Sequence, residues 1–157
     1  MIRTKICGLT EIDTAVAAAL AGADYLGIVM APSPRRATPD KALEIASAVR
    51  CLPSPPEIVG VFVNSPAEEV NSLAETCRLD RIQLSGDETW EYCRELKRPV
   101  IKTIHISGQS RAEEIMENIR EGYRTLSGTS LVCLLDTWSG NARGGTGRSL
   151  TGGWPEK

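Results

Sequence analysis

The apolar residues of this chain follow two alternating spacings. Short, nearly continuous runs, "IRTKIC", "DYLGIVM", "EIVGVFV", "RIQL", "VIKTIHI" and "SLVCLLD", read as strands buried on both faces. Stripes at helical spacing separate them. Ile12, Ala15, Val16, Ala19 and Leu20 predict a first helix, which Gly22 stops. Thr38 is placed to cap a second helix, with Pro39 at its first position and Ala42, Ile45, Ala46 and Val49 on its buried face. Ser65-Pro66, with Glu68 at capping-box spacing, opens a third whose stripe is Val70, Leu73, Ala74 and Cys77. Trp90, Cys93 and Leu96 mark a weaker fourth. Ser110 with Glu113 predicts the cap of a fifth carrying Ala112, Ile115, Met116 and Ile119.

The predicted order, six strands alternating with five helices, is that of an α/β fold in which crossover helices cover a parallel sheet. No low-complexity linker or internal repeat interrupts it. The pattern fits a half-barrel and a doubly wound sheet equally, because each buries a parallel sheet beneath its crossovers.

Composition narrows the partners more than the fold. The 157 residues, 41% hydrophobic, suffice for one core and one domain. With 18 basic and 20 acidic residues, a net charge of -2 and no run of either sign, there is no footprint for nucleic acid or an anionic membrane. A small molecule is the better partner. No apolar run reaches the roughly 18 residues of a membrane span, and Met1 to Lys5 lacks the apolar core of a signal peptide, so the expected location is cytoplasmic. The five cysteines, 7, 51, 77, 93 and 133, are odd in number and form no CxxC pair. With His105 the single histidine, zinc and disulfide frameworks are both disfavoured.

In parallel α/β proteins the reactive groups gather at the carboxyl ends of the strands. Cys7 in "KICG" and Asp136 in "LLDT" end the first and sixth predicted strands, and Arg36 lies in the loop after the second. Taken singly, a strand-end Cys is also a small apolar core residue, a lone Asp is also a cap, and Arg35 could face a ligand as readily as Arg36. His105 reads as packed or capping, and Cys51, Cys77, Cys93 and Cys133 read as core. "GNARGGTG", Gly140 to Gly147, could offer backbone N–H groups to an anion, but lacks the lysine-serine ending of a P-loop.

The ordered set "KICGLT", "DYLGIVMAPSPRRATPD", "GVFVN", "RIQLSGDE", "IKTI" and "LLDTWSGNARGGTGRS" resembles the phosphoribosylanthranilate isomerase family of tryptophan biosynthesis, from Ile2 to about Ser149. The resemblance implies a (β/α)8 TIM barrel. It also implies a cofactor-free Amadori rearrangement of N-(5-phosphoribosyl)anthranilate to its 1-deoxyribulose isomer. On the matching positions Asp136 is the expected general acid, Cys7 the general base, and Arg36 the anchor for the anthranilate carboxylate. Gln83 is an expected substrate contact, next to a Ser85 that departs from the histidine common there. An ordinary Cys, pKa ~8.5, is a few per cent thiolate at neutral pH, whereas an ordinary Asp, ~3.9, is protonated about one part in a thousand. The acid therefore needs more help from its surroundings than the base. A metal-dependent phosphosugar epimerase fits less well, because it calls for more histidines than His105.

A full barrel needs roughly 200 residues or more. The expected layout is a partial barrel over residues 1–149, strands one to six, with an aberrant tail at 150–157. A codon choice exists for the family-like Ser-Phe-Asp-Trp-Arg-Leu-Ala-Arg-Glu that, on loss of one T, reads Ser-Leu-Thr-Gly-Gly-Trp-Pro-Glu-Lys, which is Ser149 to Lys157. The tail is thus expected to be frame-shifted. In this fold, loops after strands seven and eight commonly grip a phosphate. Without them the expectation is a marginal protein that pairs through its edges as a homo-oligomer and has little or no isomerase activity for want of the phosphate grip, with the alternative of an inactive remnant or a fragment needing a partner chain.

Overall fold

A computed structural model describes residues 2–107, 109–127, 130–139 and 142–143. The elements are β1 (Lys5–Cys7), α1 (Ile12–Leu20), β2 (Tyr25–Val29), α2 (Pro39–Arg50), β3 (Glu57–Phe62), α3 (Ala67–Thr76), β4 (Arg81–Leu84), α4 (Trp90–Cys93), β5 (Val100–Ile106), α5 (Ala112–Thr125), β6 (Leu131–Ser139) and β7 (Ala142–Arg143). The expected alternation holds. "RIQL" and "VIKTIHI" are strands over their full predicted lengths.

Spatial order settles what periodicity left open. β1 to β6 are all parallel and lie side by side in sequence order. A doubly wound sheet reverses its order at a switch point, whereas a (β/α)8 barrel adds each strand next to the last. The sheet has the barrel's order. It also curls: Tyr25 (β2), Val59 (β3), Ile101 (β5) and Val132 (β6) form one apolar cluster on the face away from the helices. Strands are about 4.8 Å apart, so side chains flanking β4 could not form one cluster across a flat sheet.

The main core lies between sheet and helices, with Leu26, Ile28, Ile58, Ile82 and Leu84 meeting Ala42, Ile45, Ala46, Val49, Val70 and Ala74. Thr38 caps α2 as expected, its hydroxyl accepting from Lys41 N at 3.3 Å, and the four predicted apolar positions of α2 are fully buried. At the amino ends of the strands, Arg81 pairs with Glu57, donates to Ser130 at 3.1 Å and lies over the Tyr25 ring at 5.8 Å. A buried guanidinium is tolerated there because both its charge and its donors are met.

Several expectations shift. The capping box at Ser65 does not form: α3 starts one residue later, with Pro66 at the cap position, and the Ser65 carbonyl accepts from the Tyr92 hydroxyl at 2.8 Å. Ser110 does not cap α5 either, since its hydroxyl accepts from Ser107 N at 2.9 Å and Arg111 takes the cap position. Leu20 and Met116, predicted on buried stripes, are 71% and 47% exposed. β6 runs on to Ser139 and pairs antiparallel with β7 where a loop was expected, so Asp136 lies within the strand. The glycine-rich residues 144–147 and the tail 150–157 lie outside the described residues.

Burial at the α4 turn couples stability to alkaline pH. It pushes the Tyr92 hydroxyl up to about 12, aided by the nearby Glu88. It pushes the Cys93 thiol up to about 11, against the pull of the Lys102 ammonium. Both groups hold their protons longer folded than unfolded, so their contribution is intact below about pH 9 and falls as pH rises toward 11 and 12. Urea midpoints measured from pH 8 to 10.5 should fall, and Cys93→Ala should make the decline shallower. An unchanged slope in that variant would exclude the thiol as a contributor.

Candidate functional site

Alternation along parallel strands sends every second side chain to the concave face. Register places Lys5 and Cys7, Tyr25 and Gly27, Val59 and Val61, Arg81 and Gln83, Ile101, Thr103 and His105, and Val132, Leu134 and Asp136 on that side. Cys7 and Asp136 therefore share one face and the same, carboxyl-terminal, half of the sheet, on its first and sixth strands. The sequence-predicted pair is brought to one surface, although from opposite flanks.

Cys7 is exposed. A Cβ on Gly27 would come 2.7 Å from Cys7 Sγ and 2.8 Å from Lys5 Nζ, so sulfur and ammonium occupy one notch that only glycine leaves open. Gly8 follows at φ +83°, a left-handed turn, and packs directly beneath the Arg35 guanidinium: a Cβ there would lie 2.7 Å from Arg35 Nη1. Arg36 is held by its backbone instead. It bridges Val29 in parallel, and its N–H donates to Ser33 O at 3.0 Å, while its side chain is exposed. Of the two arginines, Arg35 is the one packed beside Cys7.

β4 and β5 build a polar wall. Gln83 Nε2 donates to Ser85 Oγ at 3.0 Å, and Ser85 Oγ lies 3.3 Å from Thr103 Oγ1. His105 Nε2 is 3.2 Å from Ser85 O, and His105 is the register partner of Asp136. The histidine read as packed or capping thus lines the same face as the candidate acid. Gln83 is only 6% exposed, and its Oε1 is buried with no hydrogen-bond partner among the described residues. A buried acceptor left unmatched costs about 1–3 kcal/mol, which makes it a ready receptor for a ligand donor. Asp136 is half-buried, with Oδ1 accepting from Thr137 N at 2.8 Å.

Two charged residues escaped the sequence reading. Glu88 and Lys102 face each other at 3.6 Å behind the wall, their side chains 3% and 8% exposed. Glu88 accepts from Asn64 N at 2.6 Å and Gly86 N at 3.0 Å, and Lys102 Nζ donates to Gly86 O at 3.2 Å. Asn64 itself has φ 51°, and its Oδ1 accepts from Asp87 N at 2.8 Å. The signal was present in "VIKTIHI": a lysine in the middle of an apolar strand is rarely buried without a carboxylate partner. Among the described residues no group of three or more His, Cys, Asp or Glu could hold a metal, and no helix is long and apolar enough to cross a membrane.

Comparison with known proteins places this geometry. Residues 4–153 match the family model described as N-(5'phosphoribosyl)anthranilate (PRA) isomerase. The chain is 52% identical over 150 residues to the N-(5'-phosphoribosyl)anthranilate isomerase of Dehalococcoides mccartyi, covering 96% of this chain and 68% of that protein. The phosphoribosyl anthranilate isomerase crystal structure from Thermotoga maritima superposes with a TM-score of 0.76 at 33% identity, covering 92% of this chain and 65% of that one. A structure of phosphoribosyl anthranilate isomerase in complex with reduced 1-(o-carboxyphenylamino)-1-deoxyribulose 5-phosphate superposes at 0.72 and 33% identity, with coverage of 88% and 66%. The chain thus spans about two thirds of the length of the proteins it matches.

Thiol chemistry tests the placement of Cys7. Cys7 and Cys51 are exposed, Cys77 and Cys93 are buried and Cys133 is half-buried, and burial raises the pKa of the last three. In the native protein at pH 8, a disulfide reagent should label Cys7 and Cys51 fast and the others only on unfolding. Gly27→Ala, whose Cβ intrudes on Cys7 Sγ, should slow Cys7 labelling alone. Fast labelling of Cys93 in the folded protein would contradict the packing around α4.

Proposed function

The chain belongs to the N-(5'-phosphoribosyl)anthranilate isomerase family, and on that footing we propose that its concave face carries out the family's Amadori rearrangement, in the cytoplasm and in service of tryptophan biosynthesis. The substrate is N-(5-phosphoribosyl)anthranilate, and no cofactor takes part. The observation that carries the reading is the shared face of Cys7 and Asp136 in the carboxyl half of a sequentially ordered parallel sheet.

Asp136, protonated, gives its proton to the furanose ring oxygen as the C1–O bond breaks, and the anthranilate nitrogen supplies electrons to form the open-chain Schiff base. The Cys7 thiolate removes the C2 proton, and the electron pair neutralises the iminium to give an enolamine. That species takes a proton at C1 and releases the C2 hydroxyl proton, leaving the ketone. Protons given and taken balance, so the step is an isomerisation.

The remaining assignments follow from what each group offers. Arg36, exposed on the loop after β2, can turn its planar fork to the anthranilate carboxylate. Arg35, packed on Gly8 beside Cys7, is then the structural member of the pair. Gln83 Oε1, unmatched among the described residues, is an acceptor for a substrate hydroxyl or amine, with Ser85 beside it. Self-association as a homo-oligomer belongs to the same proposal, supported by apolar side chains exposed on the two flanking parallel strands, Ile6 at 45% and Leu135 at 48%.

The test is loss of anthranilate fluorescence as substrate turns over, with titration of the reduced product analogue as a measure of binding. Asp136→Asn and Cys7→Ser should each lower turnover by about two to four orders of magnitude, the usual worth of a positioned acid or base, with analogue affinity and fold retained. Absence of both turnover and analogue binding in the unmodified chain, or near-normal turnover in either variant, would sink the proposal.

A further inference from the structure

Lys102 lies on the helix side of the sheet with Glu88 against it, yet what the pair holds is main chain in or beside the segments that carry the concave side's wall. Glu88 takes the N–H of Asn64, just after β3, and the N–H of Gly86, just after β4. Lys102, on β5, donates to the carbonyls of Gly86 at 3.2 Å and Thr103 at 3.4 Å. Gly86 is joined to Ser85, and Thr103 is the residue whose hydroxyl meets Ser85 Oγ; Ser85 in turn holds the Gln83 amide. The buried pair therefore grips, through main chain alone, Thr103 itself and Gly86, the chain neighbour of Ser85, so it holds both sides of the hydroxyl contact on the other face. Burying two charges is expensive, and well-packed apolar side chains often replace such a pair with no loss of stability. Stability alone is thus a weak reason for this pair, while fixing one geometry is a better one.

We propose that Glu88 and Lys102 are positioning residues for the ligand-facing wall of Gln83, Ser85 and Thr103, setting the spacing of the chain segments after β3 and β4 without touching the ligand. The inference rests on the isomerase reading for the identity of the ligand and on geometry for the device itself.

The variant that separates positioning from folding is Glu88→Gln with Lys102→Met, which removes both charges together and keeps both volumes. A cavity of about 410 Å³ bordered by Glu88, Trp90, Lys102 and Asn118 leaves room for the methionine. Two readouts are taken on the purified full chain. The first is the Gln83 side-chain amide resonance pair in a 15N–1H spectrum, which reports the wall with no ligand present. The second is the dissociation constant of the reduced product analogue. In the double variant the unfolding midpoint should stay near the parent's, the Gln83 amide resonances should shift or broaden, and analogue binding should weaken by about tenfold, the worth of one well-placed polar contact. Lys102→Arg, which keeps the charge, should restore most of the affinity, and Glu117→Gln, which breaks an exposed pair on α5, should change neither readout.

Parent-like Gln83 resonances in a folded double variant would overturn the proposal, as would parent-like affinity. If the parent itself does not bind the analogue, the isomerase reading fails, and the Gln83 resonances still decide whether the pair sets the wall. Should the double variant fail to fold, Lys102→Arg and hydrogen exchange at the Asn64 and Gly86 amides replace it. Exchange as slow as the parent's, with shifted Gln83 resonances, would then place the wall outside the pair's control.

Discussion

A parallel strand cannot return to its neighbour through a tight turn, so each connection in this sheet must carry the chain back along its length, and each of the first five does so through a helix. Every parallel strand's carboxyl end therefore arrives at one rim. Sequential order then lets the sheet curl, because each new strand is added beside the last and always at the same side. Curl brings Tyr25, Val59, Ile101 and Val132 together and aims the next residues along those strands toward a common space. In the proposed rearrangement Cys7 and Asp136 need no contact with each other to act on one molecule; they need only that rim. The proposed chemistry is a property of topology first and of side chains second.

That arrangement leaves a problem at β5. Its inward positions, Ile101, Thr103 and His105, become steadily more polar toward the rim, while its outward positions, Val100, Lys102 and Ile104, interrupt the apolar layer with an ammonium. The fold meets this with Glu88 and with the main-chain carbonyls of Gly86 and Thr103, which accept from the ammonium. Asn64 and Gly86 make the geometry possible. One adopts φ 51°, and the other must lack a side chain because a Cβ would collide with Asn64 Oδ1. "GVFVN" and "SGDE" are thus two halves of one joint.

Much of this was legible because parallel α/β proteins write their elements strongly. Continuous apolar runs found all six parallel strands, and the Thr38-Pro39 cap found the start of α2 to the residue. What escaped was decided by competing contacts from outside each helix, one distant in sequence and one local. The hydroxyl of Tyr92 claims the Ser65 carbonyl, and Ser107 claims the Ser110 hydroxyl, so two plausible caps went elsewhere. Leu20 fits its stripe but lies at the last position of α1, whose only well-packed helical neighbour among the described residues is α2. Cys7 and Asp136 stood out as candidates because both follow apolar runs, and the structure puts them on one face with Asp136 inside β6, whereas Glu88 is four residues beyond β4 and gains meaning only once Lys102 is known to be buried.

The two arginines show where residue type alone falls short. Both are exposed cations in one loop, and either could meet a carboxylate. Structure separates them through glycine: Gly8 turns left-handed and offers a bare surface on which the Arg35 guanidinium rests, while the Arg36 backbone completes a short bridge to Val29. A guanidinium packed against main chain has already surrendered much of its freedom, and one anchored only through its backbone keeps it for a ligand. Gly27 does the same for Cys7, leaving space that a methyl group would take from the sulfur. The candidate reactive positions are thus defined as much by the glycines opposite them as by the groups they carry.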